Sequence, residues 1–107
     1  MIRAGQLRHQ IELQSPTDVE DGEGGVTQTW ATFARRMAAI EPLRGRELIE
    51  ARQVAANVTH QVRLRYEPGV TPRCRVLFGD RILNIDSVID LEERHIELSL
   101  LCKEDVV

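Results

Sequence analysis

The segments 58-VTHQVRLRY-66 and 74-CRVLFGDRILNIDSV-88 decide the fold. In the first, Val58, His60, Val62, Leu64 and Tyr66 alternate with Thr59, Gln61, Arg63 and Arg65, the period-two pattern of a strand with one buried face. The second reverses at Gly79-Asp80, a dipeptide suited to a two-residue hairpin turn, so the residues on either side predict two paired strands. Between the segments lies EPGVTP, a Pro-Gly turn.

Working outward toward the C-terminus, a turn around Asp90–Arg94 leads to Ile96, Leu98, Leu100 and Cys102, which alternate in a last strand. Toward the N-terminus, Arg44–Asn57 reads as the one helix, with Leu48, Ala51 and Ala55 at helical spacing and Ile49 beside them. Before it, Val26 to about Ile40 is extended and carries Trp30, Phe33, Met37 and Ile40 in an irregular phase, which predicts a bulge near Arg35-Arg36, with Pro42 closing the strand. At the start, Leu7, His9, Ile11 and Leu13 alternate with Arg8, Gln10, Glu12 and Gln14. Ser15-Pro16 is read as the end of that strand, and TDVEDGEGG (17–25) as a long, mobile acidic surface loop. Six strands and one short helix predict a mainly β fold, a small antiparallel β-barrel with an inserted α-helix, as one domain over residues 1–107.

Composition agrees with a folded chain: 42% of residues are apolar and 29% charged, too apolar for disorder. No apolar run approaches the roughly 20 residues of a membrane span, and no secretory leader is evident, so a soluble intracellular domain is expected. The net charge of −3 gives no overall attraction to nucleic acid, but the charge is segregated. Residues 15–25 carry Asp18, Glu20, Asp21 and Glu23 with no base, residues 59–81 carry five Arg against Glu67 and Asp80, and residues 82–107 carry seven acids against Arg94 and Lys103.

Catalytic or metal chemistry finds little support. His9, His60, His95, Cys74 and Cys102 lack ligand spacing, and His9 and His60 fall in phase with core positions, where partly buried, hydrogen-bonded histidines are expected. Cys102 reads as a small core residue. There is no GxSxG elbow and no phosphate loop, and the paired acids lie in turns where nothing would separate their pKa values. Neither a cofactor nor a metal is expected. Arg63 and Arg65 share one strand face, Arg73 and Arg75 share another, and Arg81 opens the hairpin partner. If those faces coincide, they make a guanidinium surface that meets solvent and local acids, a neighbouring subunit, or passing DNA phosphates. Tyr66 and Phe78 fall in the opposite phase, so the stacking aromatics of a single-strand platform are missing from it.

Four fragments, AGQLRHQIELQSP (4–16), DGEGGVTQTW (21–30), AAIEPLRGRELIEA (38–51) and RVLFGDRILNIDSVIDLEERHIELSLLCKE (75–104), together resemble the phage head–tail joining family. These are the head-closure, or stopper, proteins of long-tailed bacteriophages, prophages and phage-derived particles. Met37 stands where the family commonly has a large aromatic, a change expected to fall on a core contact. The resemblance implies a small barrel with an inserted helix and a structural role. Copies would form a homo-oligomeric ring beneath the portal and its adaptor, close the DNA channel of the filled capsid, and give the tail-end protein a platform. DNA would pass without sequence-specific binding, and no membrane would be involved. The protein would be assembled in the host bacterial cytoplasm and reside in the virion. By the same resemblance Asp18, Glu20, Asp21, Gly22, Glu23, Gly24 and Gly25 are a candidate segment facing lumen or tail. Other readings are a tail terminator, a single-stranded nucleic-acid binding barrel, and an enzyme for which no residue can be named.

Overall fold

The computed structural model describes Gly5 and residues 7–104; Ala4 and Gln6 of the first quoted fragment, and Asp105 of the acidic C-terminal stretch, lie outside the described residues. The strands are β1 (His9–Glu20), β2 (Val26–Pro42), β3 (His60–Arg65), β4 (Arg75–Phe78), β5 (Arg81–Asp90) and β6 (Glu97–Glu104), with helix α1 (Gly45–Val54) between β2 and β3. All pairings are antiparallel, and the strands close into a barrel in the order β1-β2-β3-β6-β5-β4.

The alternation read in the sequence points inward. Ile11, Leu13, Ala34, Ala38, Val62, Leu64, Val76, Leu83, Ile85, Leu98, Leu100 and Cys102 fill the interior, joined by Cys74. The interior of a six-stranded barrel is narrow, and Ala34, Ala38 and the two cysteines let opposite walls approach. Gly79-Asp80 makes the two-residue turn between Phe78 and its partner Arg81, with Gly79 at φ +60, a conformation open to glycine.

Several boundaries depart from expectation. The segment 17–25 is not a long loop. β1 continues through Pro16 to Glu20 and pairs with β2 out to Glu20 opposite Val26, so only Asp21–Gly25 turns. Pro16 is tolerated because β4 pairs with β1 only at Glu12–Gln14, which leaves one edge of β1 without a partner strand beyond that point. The bulge lies at Phe33, two residues before the expected position, since Leu13 faces Ala34 and Gln14 faces Thr32. That extra residue turns Phe33 and Met37 outward, 39% and 45% exposed, and gives the inward positions to Ala34 and Ala38. Met37 is therefore a surface residue, not the core contact expected of it.

Helix α1 ends at Val54, short of Asn57, because Ala55 is extended and drops into a second small cluster with Leu43, Val58 and Leu101. Leu48 and Ala51 pack on that cluster as their spacing predicts, whereas Ile49 is exposed. The Leu43 N–H donates to the Thr59 carbonyl at 2.9 Å, closing the loop that holds the helix. β6 is buried on both faces, so its pattern is not simple alternation. Leu101 lies in the cluster beneath α1, Gln61 donates to Ser99 Oγ at 2.7 Å, and Glu97 is paired by Arg63. Ile96 falls just before the strand and is 42% exposed.

Candidate functional site

The most distinctive surface is the extension of β1 and β2 beyond the barrel. Ser15–Glu20 and Val26–Ala31 pair only with each other, and the six residues of β1 involved span about 20 Å at the usual rise of a strand. The molecule accordingly measures 48 × 27 × 27 Å. At its tip the Asp21 carboxylate accepts the backbone N–H groups of Glu23 and Gly25 at 2.8 and 3.0 Å, while Gly22 and Gly24 take φ values of +81 and +84. Of the sequence candidates, Asp18 and Glu20 are on the β1 strand of this arm and Asp21, Gly22, Glu23, Gly24 and Gly25 form its end. None of the four carboxylates meets a cation among the described residues, and all four residues are exposed.

The base of the arm is anchored. Trp30 lies opposite Pro16, and the Arg75 guanidinium stands over its ring, 4.1 Å from the centroid. Arg75 Nε donates to Gln14 Oε1 at 2.8 Å, and Gln14 Nε2 donates to Thr32 Oγ1 at 3.1 Å. The arm and this anchor were hidden in the sequence by Pro16 and the acidic glycine-rich tip. The readable trace was Val26, Thr27, Thr29 and Trp30, residues that favour strands.

The expected guanidinium face does not form. β3 and β4 are three strands apart in either direction around the barrel, so Arg63 and Arg65 are on the opposite side from Arg73 and Arg75. Closure of the sheet is the physical reason, and the members are largely engaged locally. Arg63 donates to Glu97 at 2.7 and 3.0 Å, and Arg81 donates to Glu104 at 2.6 and 3.0 Å. Arg65 and Arg73 are exposed and form no ion pair among the described residues.

The barrel has two unlike poles. One gathers the start of β1, the end of β2, α1, and the cluster of His60, Arg81 and Glu104. There Thr59 Oγ1 accepts the Glu104 N–H at 3.0 Å and lies 2.8 Å from His60 Nδ1. Burial depresses the His60 pKa, Glu104 opposes that shift, and Arg81 adds to it. The Glu104 carboxyl is held below the usual range by its hydrogen bonds from Arg81, which is itself raised by the same contact. The opposite pole carries the arm, the β3–β4 turn and the Leu91–Glu93 turn, where Glu92, Glu93 and His95 adopt positive φ. Asp90 braces that strained turn, accepting the His95 N–H at 3.0 Å and lying 2.6 Å from its Nδ1. Among the described residues no group of three or more His, Cys, Asp or Glu side chains is placed to hold a metal ion.

The barrel thus carries an anchored, acid-tipped ribbon at one pole and a helix at the other. The chain belongs to the family described as phage head completion protein, whose sequence model matches residues 2–105, and it is a structural component of the head–tail junction of a virion. Two solved structures share the fold. Protein SF1141 from Shigella flexneri 2a, known in solution, is 22% identical with a TM-score of 0.73 over 98% of both chains. A chain from the virion of a native gene transfer agent particle is also 22% identical, with a TM-score of 0.64 over 94% of this chain and 97% of the other. No curated protein sequence matches.

Proposed function

We propose that copies of this chain form a ring beneath the portal and adaptor of a filled head, close the DNA channel, and present the docking platform for the tail-end protein. The observation that carries this reading is the arm, a two-stranded ribbon anchored at its root, with four carboxylates at and near its tip that meet no cation among the described residues. Turned toward the channel, those charges repel DNA phosphates, so the genome is confined and later released without adhering to the wall. The two poles serve different neighbours, one toward the head and one toward the tail.

Electron microscopy of lysates from particles with an early stop codon in this gene, with DNA content scored, tests the role. Separate full-length tails and heads that packaged and then lost DNA support closure and joining. Tails of abnormal length favour the terminator reading, and normal tailed particles overturn both. Replacing Asp18, Glu20, Asp21 and Glu23 with Asn or Ser tests the arm separately. Unchanged DNA retention and tail attachment would remove it from the mechanism.

A further inference from the structure

The two edges of the arm differ. Beyond Gln14 the outer edge of β1 has no partner strand, and β2 meets β3 only from Ala38 onward, which leaves its own outer edge open along Val26–Thr32. Apart from the β1 ladder, no backbone group among the described residues bonds to that stretch. Folded proteins guard such edges with proline, charge or a covering loop, because every second residue there presents an unpaired N–H and C=O. The β1 edge is guarded, since Pro16 lacks a donor and Asp18 and Glu20 follow it. The β2 edge is not. Val26–Thr32 holds no charge, no proline and no glycine, is built largely of Val and Thr, and is exposed at every residue except Trp30. Toward the root the open edge ends at the Phe33 bulge, beyond which Glu67 of the β3–β4 turn holds Arg36 at 2.8 Å.

We infer that the Val26–Thr32 edge takes an extended segment of a different polypeptide as a third strand of the arm, a segment with Lys or Arg at alternate positions. In such a contact main-chain hydrogen bonds supply the affinity and alternate side chains supply the selection. The selection here is for positive charge. Asp18 is opposite Gln28 and Glu20 opposite Val26, so both carboxylates stand on one face of the ribbon. Side chains of an added strand on that face lie two strand spacings from β1, about 10 Å. Only a Lys or Arg side chain reaches a carboxylate over that distance, passing across Gln28 and Val26. Neither Asp18 nor Glu20 meets a cation among the described residues. The same charges argue against a second copy as the occupant. Another Val26–Thr32 edge brings no base, and another β1 edge brings Pro16 and two more carboxylates. What the arm holds is independent of what lines the channel, so this contact goes beyond the ring reading and does not depend on it.

Titration of the isotope-labelled full chain at low salt tests the contact, with a capped peptide of alternating Lys and Val about eight residues long, within the usual length of a strand. Binding is expected to slow amide exchange at alternate residues between Val26 and Thr32. The joint change Asp18→Asn with Glu20→Gln, at two exposed positions, should weaken binding about fivefold, the scale of two surface ion pairs. The same peptide with its backbone N-methylated keeps its charge and cannot pair as a strand, so it should leave the exchange of the edge unchanged. Equal binding of the N-methylated peptide, or binding that leaves exchange along Val26–Thr32 unaltered, overturns strand addition in favour of charge attraction alone. Equal affinity for the variant lacking Asp18 and Glu20 overturns the selection for a basic segment. Protection of the same amides in concentrated protein without peptide makes a second copy the occupant and overturns the proposal. Absence of binding at millimolar peptide overturns it as well.

Discussion

Arg75 lies over the Trp30 ring, 4.1 Å from its centroid, and thereby ties the outer end of β4 to the first paired residues of the arm. The same guanidinium donates to Gln14 across 61 residues of sequence, so one side chain holds both the barrel wall and the arm's root. Without it, the arm would remain a two-stranded ribbon, a structure marginally stable on its own in water.

Arg75→Ala is therefore expected to cost about 1 kcal/mol of global stability, the scale of a partly exposed cation–π contact with a hydrogen bond. Its larger effect should be local. Amide exchange at Thr17, Val19, Thr27 and Thr29 should accelerate well beyond the change in the barrel. Equal acceleration in arm and barrel would contradict an anchoring role.

Arg63 and Glu97 form a largely enclosed ion pair on the outer wall, with the Glu97 side chain 5% exposed and the Arg63 side chain 29%. Removing the guanidinium leaves a carboxylate that cannot rehydrate freely. Arg63→Ala should destabilise by about 3 kcal/mol. The joint change Arg63→Met with Glu97→Leu should cost less than Arg63→Ala alone, and urea denaturation of the three proteins measures this. A double variant no more stable than the single one would place the cost in packing.

Acidification should weaken the fold through the helix pole. The His60 pKa is depressed in the folded state, chiefly by burial, so below its unfolded value of about 6.5 the unfolded chain takes the proton more readily. The Glu104 pKa is also depressed, so its contribution is present above about 4.5 and is lost as the pH falls through the folded value. Both have the same sign. Tm should fall from pH 7 to pH 5, and His60→Gln should flatten that part of the curve. A Tm that rises over this interval would refute the assignment.

The Cys102 thiol, fully enclosed, is pushed up to about 12 by burial with a smaller contribution from Asp86. Reaction with an aromatic disulfide reagent at pH 8 should follow unfolding, with no fast phase in the native protein for Cys102 or for the equally unpaired, buried Cys74. A fast native phase would show that the barrel opens near one of them.

Gly25→Ala should loosen the tip. A Cβ there would lie 2.4 Å from Asp21 Oδ2, so the carboxylate must swing away from the N–H groups it now accepts. The expected cost is about 1 kcal/mol, confined to the tip and visible as faster exchange at Glu23 and residue 25. Unchanged exchange would mean that the carboxylate finds an equivalent position.

Where side chains alternate against a single core, the sequence was legible. Val62, Leu64, Val76 and Leu83 announced their strands, and Gly79-Asp80 its turn. Leu48, Ala51 and Ala55 likewise marked the inner face of α1. The arm was not legible, because a ribbon without a core writes no hydrophobic period, and Pro16 with Gly22, Gly24 and Gly25 mimics a loop. The arginines misled for a related reason. Shared face along a strand is a local property, whereas the angle between β3 and β4 depends on closure of the whole sheet.

That closure rests on a short seam. β1 meets β4 at only three positions, Glu12, Leu13 and Gln14 against Leu77, Val76 and Arg75, while it meets β2 along its entire length. A pairing so distant in sequence bears the largest loop-closure entropy, and three rungs return little against it. The seam is thus expected to zip last during folding, and its opening alone would turn the cylinder into an open sheet with every other strand pair kept.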